Sequence, residues 1–108
     1  MIELIKSTTF DRWLKKIRDP QAKARIAMRL RRLTLGNAGD VRPIGNGLSE
    51  LRIDYGPGYR IYFMQQGMML IILLCAGDKR TQQKDITKAK KLAARWEEEK
   101  DGKNIQSL

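Results

Sequence analysis

The chain has 108 residues, the size of a single domain with one core region. Its 22 lysine and arginine residues outnumber its 12 aspartate and glutamate residues, so the formal net charge is +10 at pH 7. A small protein this basic commonly binds a polyanion or an acidic protein. The chain has no histidine, which excludes histidine-ligated metals and histidine acid–base catalysis.

The lone cysteine and the apolar segments indicate a cytoplasmic protein. Cys75 has no second cysteine to pair with, which fits a reducing compartment, and its apolar surroundings predict an inert core thiol. No basic segment followed by an apolar stretch marks a signal peptide. The longest apolar run, residues 68–76, is too short to cross a bilayer, so we expect no contact with a membrane.

The N-terminal third of the chain predicts a strand followed by a helical hairpin. Residues 1–6 lean apolar and predict a short strand. Apolar residues recur at helical spacing over residues 9–18, with Trp13 in the core, and again over residues 20–35. Asp19-Pro20 separates the two helices, because aspartate is a good N-cap and proline a good first helical residue.

The outer face of the second predicted helix is strongly basic. It carries Lys23, Arg25, Arg29, Arg31 and Arg32. No acidic residue lies between Pro20 and Leu35, and a helix with like charges and no partner repels itself slightly. We therefore predict a docking surface for a negative partner, with Arg25, Arg29 and Arg32 binding RNA, although a solvated helix face is the alternative.

The middle of the chain predicts an antiparallel meander. Alternating apolar and polar residues over 48–64 predict two strands joined by a tight turn at Gly56-Pro57-Gly58. A brief strand at residues 41–44 precedes this hairpin. Residues 68–75 are almost continuously apolar and predict a central strand buried on both faces. The short turns between these strands imply antiparallel pairing.

A last basic helix is predicted over residues 82–98, followed by a polar tail over about residues 99–108. The element order is then β, α, α, β, β, β, β, α. We predict one α+β domain, in which the helical hairpin covers one face of the sheet and the other face is partly open.

The predicted open face carries the candidate chemistry, because strand alternation places charged residues and a phenol there. The residues expected on or beside it are Arg52, Asp54, Arg60, Tyr62, Lys79, Arg80 and Lys84. Convergent arginines and lysines bind phosphate groups by charge and by paired hydrogen bonds. This pattern serves RNA binding or RNA cleavage.

RNA can be cleaved without a metal when its 2′-hydroxyl attacks the neighbouring phosphate and leaves a 2′,3′-cyclic phosphate. That reaction needs a base, an acid and cations on the phosphorane. The clustered cations suit the last role and can depress the pKa of a lysine enough for it to act as base. Asp54 and Asp85 are alternative bases, and Tyr62 could orient a phosphate or stack on a nucleobase.

Two segments resemble the RelE/ParE superfamily of toxins, closest to the HigB-like subgroup of addiction module killer proteins. They are Gly47-Leu-Ser-Glu-Leu-Arg-Ile-Asp-Tyr-Gly-Pro-Gly-Tyr-Arg-Ile-Tyr-Phe63 and Cys75-Ala-Gly-Asp-Lys-Arg-Thr-Gln-Gln-Lys-Asp-Ile86. The resemblance covers nearly the whole chain. It implies a single RelE-like domain over residues 1–108, with a curved antiparallel sheet of four to five strands and a C-terminal helix.

The resemblance also implies a function. RelE-like and HigB-like members are bacterial type II toxins that cleave mRNA in the ribosomal A site, without metal or cofactor, and so inhibit translation. A cognate helix-turn-helix antitoxin neutralises them, and the pair binds its operator DNA through the antitoxin. A ParE-like toxin that poisons gyrase, or a non-catalytic nucleic-acid-binding module, is the alternative.

The resemblance assigns roles to individual residues. Arg60 matches a catalytic arginine on the scissile phosphate, and Arg80 resembles the second such arginine. Arg52 lies near a lysine that acts as base or phosphate ligand in RelE, and the other lysine of that pair falls on Asp54. Ile86 stands near the position of a RelE tyrosine, so the base and acid differ in this chain.

Overall fold

Residues 1–101, the part of the chain that the computed structural model describes, form a five-stranded sheet and three α-helices. The elements are β1 (Glu3–Lys6), α1 (Thr8–Lys16), α2 (Pro20–Thr34), β2 (Val41–Gly45), β3 (Leu48–Ile53), β4 (Tyr59–Gln66), β5 (Leu70–Asp78) and α3 (Gln82–Asp101), with a 3₁₀ turn over Lys79–Thr81. This confirms the α+β class and the predicted order. The predicted tail lies outside the described residues, except that α3 continues to Asp101.

The strand order in the sheet is β1-β5-β4-β3-β2. Strands β2 to β5 pair antiparallel, as predicted from their short turns. Strand β1 pairs parallel with β5, so the prediction of a wholly antiparallel sheet is wrong. Parallel strands need a long crossover connection, which the helical hairpin and the meander together supply.

A side chain caps the start of each helix in the N-terminal hairpin, at Asp19-Pro20 as predicted and one residue before the predicted range for α1. Ser7 is the N-cap of α1: its hydroxyl accepts a hydrogen bond from the Phe10 amide at 3.0 Å and donates to the Leu74 carbonyl at 2.6 Å. Asp19 caps α2 and accepts from the Gln21 amide at 3.0 Å, with Pro20 as the first helical residue. Each cap satisfies a backbone donor that the first helical turn leaves unpaired.

Apolar side chains pack on both faces of the sheet. The first core lies under α1 and α2, and its largest members include Phe10, Ile26, Leu30, Leu51, Ile61 and Phe63. The second core lies under α3 and includes Leu48, Tyr62, Met64, Leu74, Ala89 and Ala93. The second face, predicted to be partly open, is therefore covered by α3 over the rows that contain these residues.

A bulge in β5 widens the apolar surface that α3 covers. Tyr62 pairs with Cys75 while Phe63 pairs with Leu73, so Leu74 is an extra residue in the ladder. As a result, the adjacent residues Leu74 and Cys75 both belong to the second core. Burial raises the pKa of the Cys75 thiol to about 12, in keeping with the predicted inert role.

The start of α3 approaches the sheet closely at Gly77. A methyl group on Gly77 would lie 1.9 Å from Oδ2 of Asp85 and 2.8 Å from Oγ1 of Thr81. Thr81 donates a hydrogen bond to the same Asp85 oxygen at 2.5 Å.

No helix among the described residues is long and apolar enough to span a membrane.

We predict that Gly77→Ala lowers the free energy of unfolding by about 1–3 kcal/mol, because the new methyl group pushes the first turn of α3 away from β5. Urea denaturation measures this loss. Adding Asp85→Ala removes the clashing carboxylate and should recover part of the stability. A single Gly77→Ala variant as stable as the parent would contradict the close packing.

Candidate functional site

A buried carboxylate lies at the centre of the second sheet face. Glu50, in the middle of β3, has only 1% of its surface exposed. Its Oε1 accepts a hydrogen bond from Arg52 Nε at 2.8 Å. Its Oε2 accepts from the Tyr62 hydroxyl at 3.0 Å and from Gln82 Nε2 at 2.9 Å. The sequence analysis did not identify Glu50. The available signal was strand alternation, which places Glu50 on the same face as Arg52, two residues later in β3.

Strand pairing brings Arg52 and Arg60 side by side on this face. The two residues are direct partners across β3 and β4, two pairs along from Glu50 and Tyr62 and therefore on the same face. Arg60 is 8% exposed, its Nε lies 3.7 Å from Glu50 Oε2, and its Nη1 donates to the Gly58 carbonyl at 3.2 Å. Its buried Nε has no hydrogen-bond partner within the described part of the chain. The two arginines, here called the arginine pair, thus share one carboxylate.

The charge of this cluster follows from its hydrogen bonds. Burial by itself would raise the pKa of Glu50, but hydrogen bonds from Arg52, Gln82 and Tyr62 outweigh burial and hold that pKa below its usual value. Burial, followed by the charge of Glu50, raises the pKa of Tyr62 far above its usual value. Glu50 is therefore ionised and Tyr62 is a neutral donor at neutral pH. The cluster carries two positive charges and one negative charge.

Tyr62 is completely buried, with an exposed fraction of 0%. The prediction that it lies on an open face is wrong, because α3 packs over it and its hydroxyl is bound to Glu50. Its ring offers no surface on which a nucleobase can stack. Its role in this structure is to support the carboxylate.

Of the predicted cations after β5, Lys79 lies beside the arginine pair. The backbone amide of Lys79 lies 3.5 Å from the Pro57 carbonyl, at the turn between β3 and β4. A methyl group on Gly58 would lie 3.5 Å from Lys79 Cβ and 3.6 Å from Arg60 Nη1. Gly58 is therefore the point where Lys79 and Arg60 come together, and both Lys79 and Lys84 are exposed.

Arg80 is also exposed, but its guanidinium is bound to Asp78, with Nη2 3.0 Å from Oδ2. That contact and its charge raise the pKa of Arg80, and they lower the pKa of Asp78. Asp78 also caps the 3₁₀ turn by accepting from the Arg80 amide at 2.9 Å. In this conformation Arg80 stabilises its own turn.

The two candidate carboxylate bases lie on opposite sides of the sheet. Asp54 follows the last residue of β3 and lines a groove beside α2, with Arg25 and Arg32. The prediction that Asp54 shares a face with Arg60 is wrong, because β3 ends at Ile53 and strand alternation ends with it. Asp85, at the start of α3, instead lies against Gly77, the residue that pairs with Arg60.

The arginines of α2 have separate roles. Arg29 Nη1 donates to the Arg52 carbonyl at 2.6 Å and its Nη2 to the Ala38 carbonyl at 3.1 Å, so it ties α2 to β3. The guanidinium of Arg25 lies 4.6 Å from the centre of the Tyr55 ring. Arg32 is exposed and lines the groove. Of the three predicted RNA-binding arginines, Arg32 is thus the most available.

Exposed apolar side chains accompany these charges. Met28, in the same groove, is 58% exposed, and Leu35, at the C-cap of α2, is 59% exposed. A surface that mixes exposed apolar side chains with arginine is typical of a protein interface more than of an RNA interface.

The arginine pair is suited to binding a phosphate group. Arginine presents planar paired donors, and a buried carboxylate behind them limits their motion. Within the described residues, no three cysteine, aspartate or glutamate side chains are grouped as metal ligands. Lys79 and Asp85, which lie near Arg60, carry groups that can transfer protons.

Two comparisons with known proteins bear on this site. A profile of the family described as Phage derived protein Gp49-like (DUF891) matches residues 12–96. An uncharacterized protein of Haemophilus influenzae is 51% identical over 92 residues, which cover 85% of this chain and 93% of that protein. The family match runs from the middle of α1 through most of α3, and it therefore includes the whole arginine cluster.

We predict that Glu50→Gln lowers stability at neutral pH and that the loss disappears in acid. Because the pKa of Glu50 is lower in the folded chain than in the unfolded chain, the ionised carboxylate stabilises the fold above its ordinary pKa of about 4.5. This stabilisation is lost as the pH falls through the folded-state pKa. Urea denaturation of both proteins from about pH 7 to about pH 3 measures the difference.

Other carboxylates with lowered pKa values, such as Asp19 and Asp78, are present in both proteins, and their contributions cancel in that difference. A difference in unfolding free energy that stays constant across the pH range would show that the pKa of Glu50 is the same in the folded and unfolded chains, and would contradict the prediction.

Proposed function

Because the chain belongs to the Phage derived protein Gp49-like family, a family of toxin–antitoxin toxins in the RelE/HigB-type superfamily, we propose that it is a ribosome-dependent endoribonuclease that cleaves mRNA. The observation that carries this proposal is the arginine pair, held against a buried carboxylate on one face of the sheet. Its site of action is the cytoplasm, where ribosomes and mRNA meet, and its result is inhibited translation.

The arginine pair supplies the electrostatic part of the reaction. In the proposed mechanism the 2′-hydroxyl of one nucleotide attacks the adjacent phosphorus, and the bond from phosphorus to the 5′-oxygen of the next nucleotide breaks. Arg60 and Arg52 bind the non-bridging phosphate oxygens, whose negative charge grows in the transition state. Charge stabilisation in a dry, pre-oriented site is commonly the largest contribution to catalysis.

In the same mechanism, residues near Arg60 carry out the proton transfers. Asp85, which lies against the partner residue of Arg60, takes the proton of the attacking 2′-hydroxyl. Lys79, next to Arg60 across Gly58, returns a proton to the departing 5′-oxygen. Ribosomal RNA, docked on exposed cations such as Arg80 and Lys84, holds the mRNA in the geometry for in-line attack.

A second proposed interaction concerns the antitoxin that membership in this family implies. We place an acidic, partly apolar segment of a helix-turn-helix antitoxin in the groove beside α2, where Met28 and Arg32 lie. Exposed methionine favours an apolar protein side chain, and the surrounding arginines favour carboxylates. Any contact with operator DNA then takes place through the antitoxin.

We predict that Arg60→Lys abolishes most of the cleavage, by about a hundredfold, while the protein still folds. Lysine keeps the charge opposite Glu50 but lacks the planar paired donors that match a phosphate. The measurement is the mapping of mRNA 5′ ends and ribosome positions after expression without antitoxin. Arg12→Lys, on the exposed side of α1, is the matched control and should cut like the parent.

Cuts in phase with codons that vanish in Arg60→Lys support the proposed nuclease. Intact messages with double-stranded DNA breaks would contradict it in favour of a gyrase poison. Unaffected growth at high expression would contradict both activities and favour a binding module.

We predict that Arg32→Glu weakens binding of the antitoxin about tenfold, because it places a carboxylate opposite an acidic segment. Arg12→Glu makes the same change in net charge on α1. It therefore separates an effect of charge in the groove from an effect of the net charge of the protein. Titration of the purified antitoxin against each variant measures the affinity. Equal losses for the two variants would place the antitoxin elsewhere.

A further inference from the structure

We propose that Glu50 is the positioning residue of the arginine pair, and that it holds both guanidinium groups in the orientation that the reacting phosphate requires before the phosphate arrives. The catalytic consequence rests on the nuclease function proposed above. The orientation of the arginines by Glu50 does not, and it can be measured separately.

Each carboxylate oxygen of Glu50 lies near the Nε of one of the two arginines. Oε1 accepts from Arg52 Nε at 2.8 Å, and Oε2 lies 3.7 Å from Arg60 Nε. The carboxylate therefore restrains Arg52 by a hydrogen bond and Arg60 by charge. At its other end, Arg60 is held by the hydrogen bond from Nη1 to the Gly58 carbonyl.

Donors on three different elements hold Glu50 itself. Arg52 on β3, Tyr62 on β4 and Gln82 at the start of α3 each donate one hydrogen bond to it. Tyr62 is buried in the second core, and Gln82 is the first residue of α3, which packs against β5 and β4. The carboxylate therefore has little freedom to turn, and it transmits that rigidity to the arginines.

The net charge of the cluster distinguishes positioning from simple anion binding. A site selected only for affinity towards phosphate gains nothing from a buried carboxylate beside its arginines, because like charges repel. Burying a carboxylate is also costly, and a well-packed apolar residue often stabilises a fold as well as a buried ion pair does. The presence of Glu50 is explained if orientation in the transition state matters more than affinity in the ground state.

Glu50→Gln therefore has a specific expected signature. The substitution keeps the shape of the side chain and raises the charge of the arginine cluster by one. Simple electrostatics predicts tighter binding of RNA. Loss of orientation predicts slower chemistry, since a displacement of about 1 Å can lower a rate about a hundredfold.

The experiment measures single-turnover cleavage of mRNA on programmed ribosomes as a function of ribosome concentration. We expect the maximal rate of Glu50→Gln to fall at least about tenfold, while the half-saturating concentration stays unchanged or decreases. Glu3→Gln, an exposed residue of β1, makes the same charge change at the far edge of the sheet and serves as the control.

Tyr62→Phe is the second variant, because it removes one donor to Glu50 and keeps the ring in the core. It should lower the maximal rate in the same direction as Glu50→Gln but less. If Glu50→Gln does not fold, Tyr62→Phe decides the question. A maximal rate within about twofold of the parent in the folded variants, or a loss confined to the half-saturating concentration, would overturn the proposal.

Nuclear magnetic resonance of the arginine Nε–H groups gives a readout that does not depend on cleavage. In the parent, the Arg52 Nε–H should exchange slowly with water, because it is bonded to Glu50. In Glu50→Gln this protection should fall at least about tenfold, and unchanged protection would overturn the positioning role. If the parent protects this group but never cleaves mRNA, the nuclease function fails and the positioning of the arginines by Glu50 stands.

Discussion

The ionised carboxylate of Glu50, buried between two strands and a helix, is the interaction on which the candidate site depends. An isolated buried carboxylate would be strongly destabilising, so every neighbour that donates to it is constrained. Arg52, Tyr62 and Gln82 meet that need from three elements, and Arg60 adds its charge. The same contacts stabilise the fold and orient the cations of the site.

The placement of α3 explains how one face of the sheet serves both stability and chemistry. The bulge at Leu74 gives the helix a wider apolar surface, and Gly77 lets its first turn approach β5 closely. The helix therefore covers the row that contains Tyr62 and leaves the next row, with Arg52 and Arg60, at its margin. A partly dry site with a cationic rim results, which suits charge stabilisation of a phosphorane.

The opposite side of the molecule has a different character. There Met28 and Arg32 of α2 line a groove. Arg29 of the same helix donates hydrogen bonds to backbone carbonyls. Positive charge thus lies both in the arginine pair on one face of the sheet and in a mixed apolar and basic groove on the other. That separation supports the proposal that RNA and a protein partner bind through different surfaces.

The sequence by itself determined the element order, the cap at Asp19 and the placement of Arg52 and Arg60 on neighbouring strands, because these follow from local periodicity and turn chemistry. Only the tertiary structure decided that α3 covers the second face and buries Tyr62. It also decided that Asp54 lies beside α2 and that Asp85 lies against Gly77, the strand partner of Arg60. It also revealed Glu50, since a glutamate in an alternating strand looks solvent-exposed until a helix packs over it. Alternation specifies which face a side chain takes, whereas burial and partners depend on contacts between residues distant in the chain.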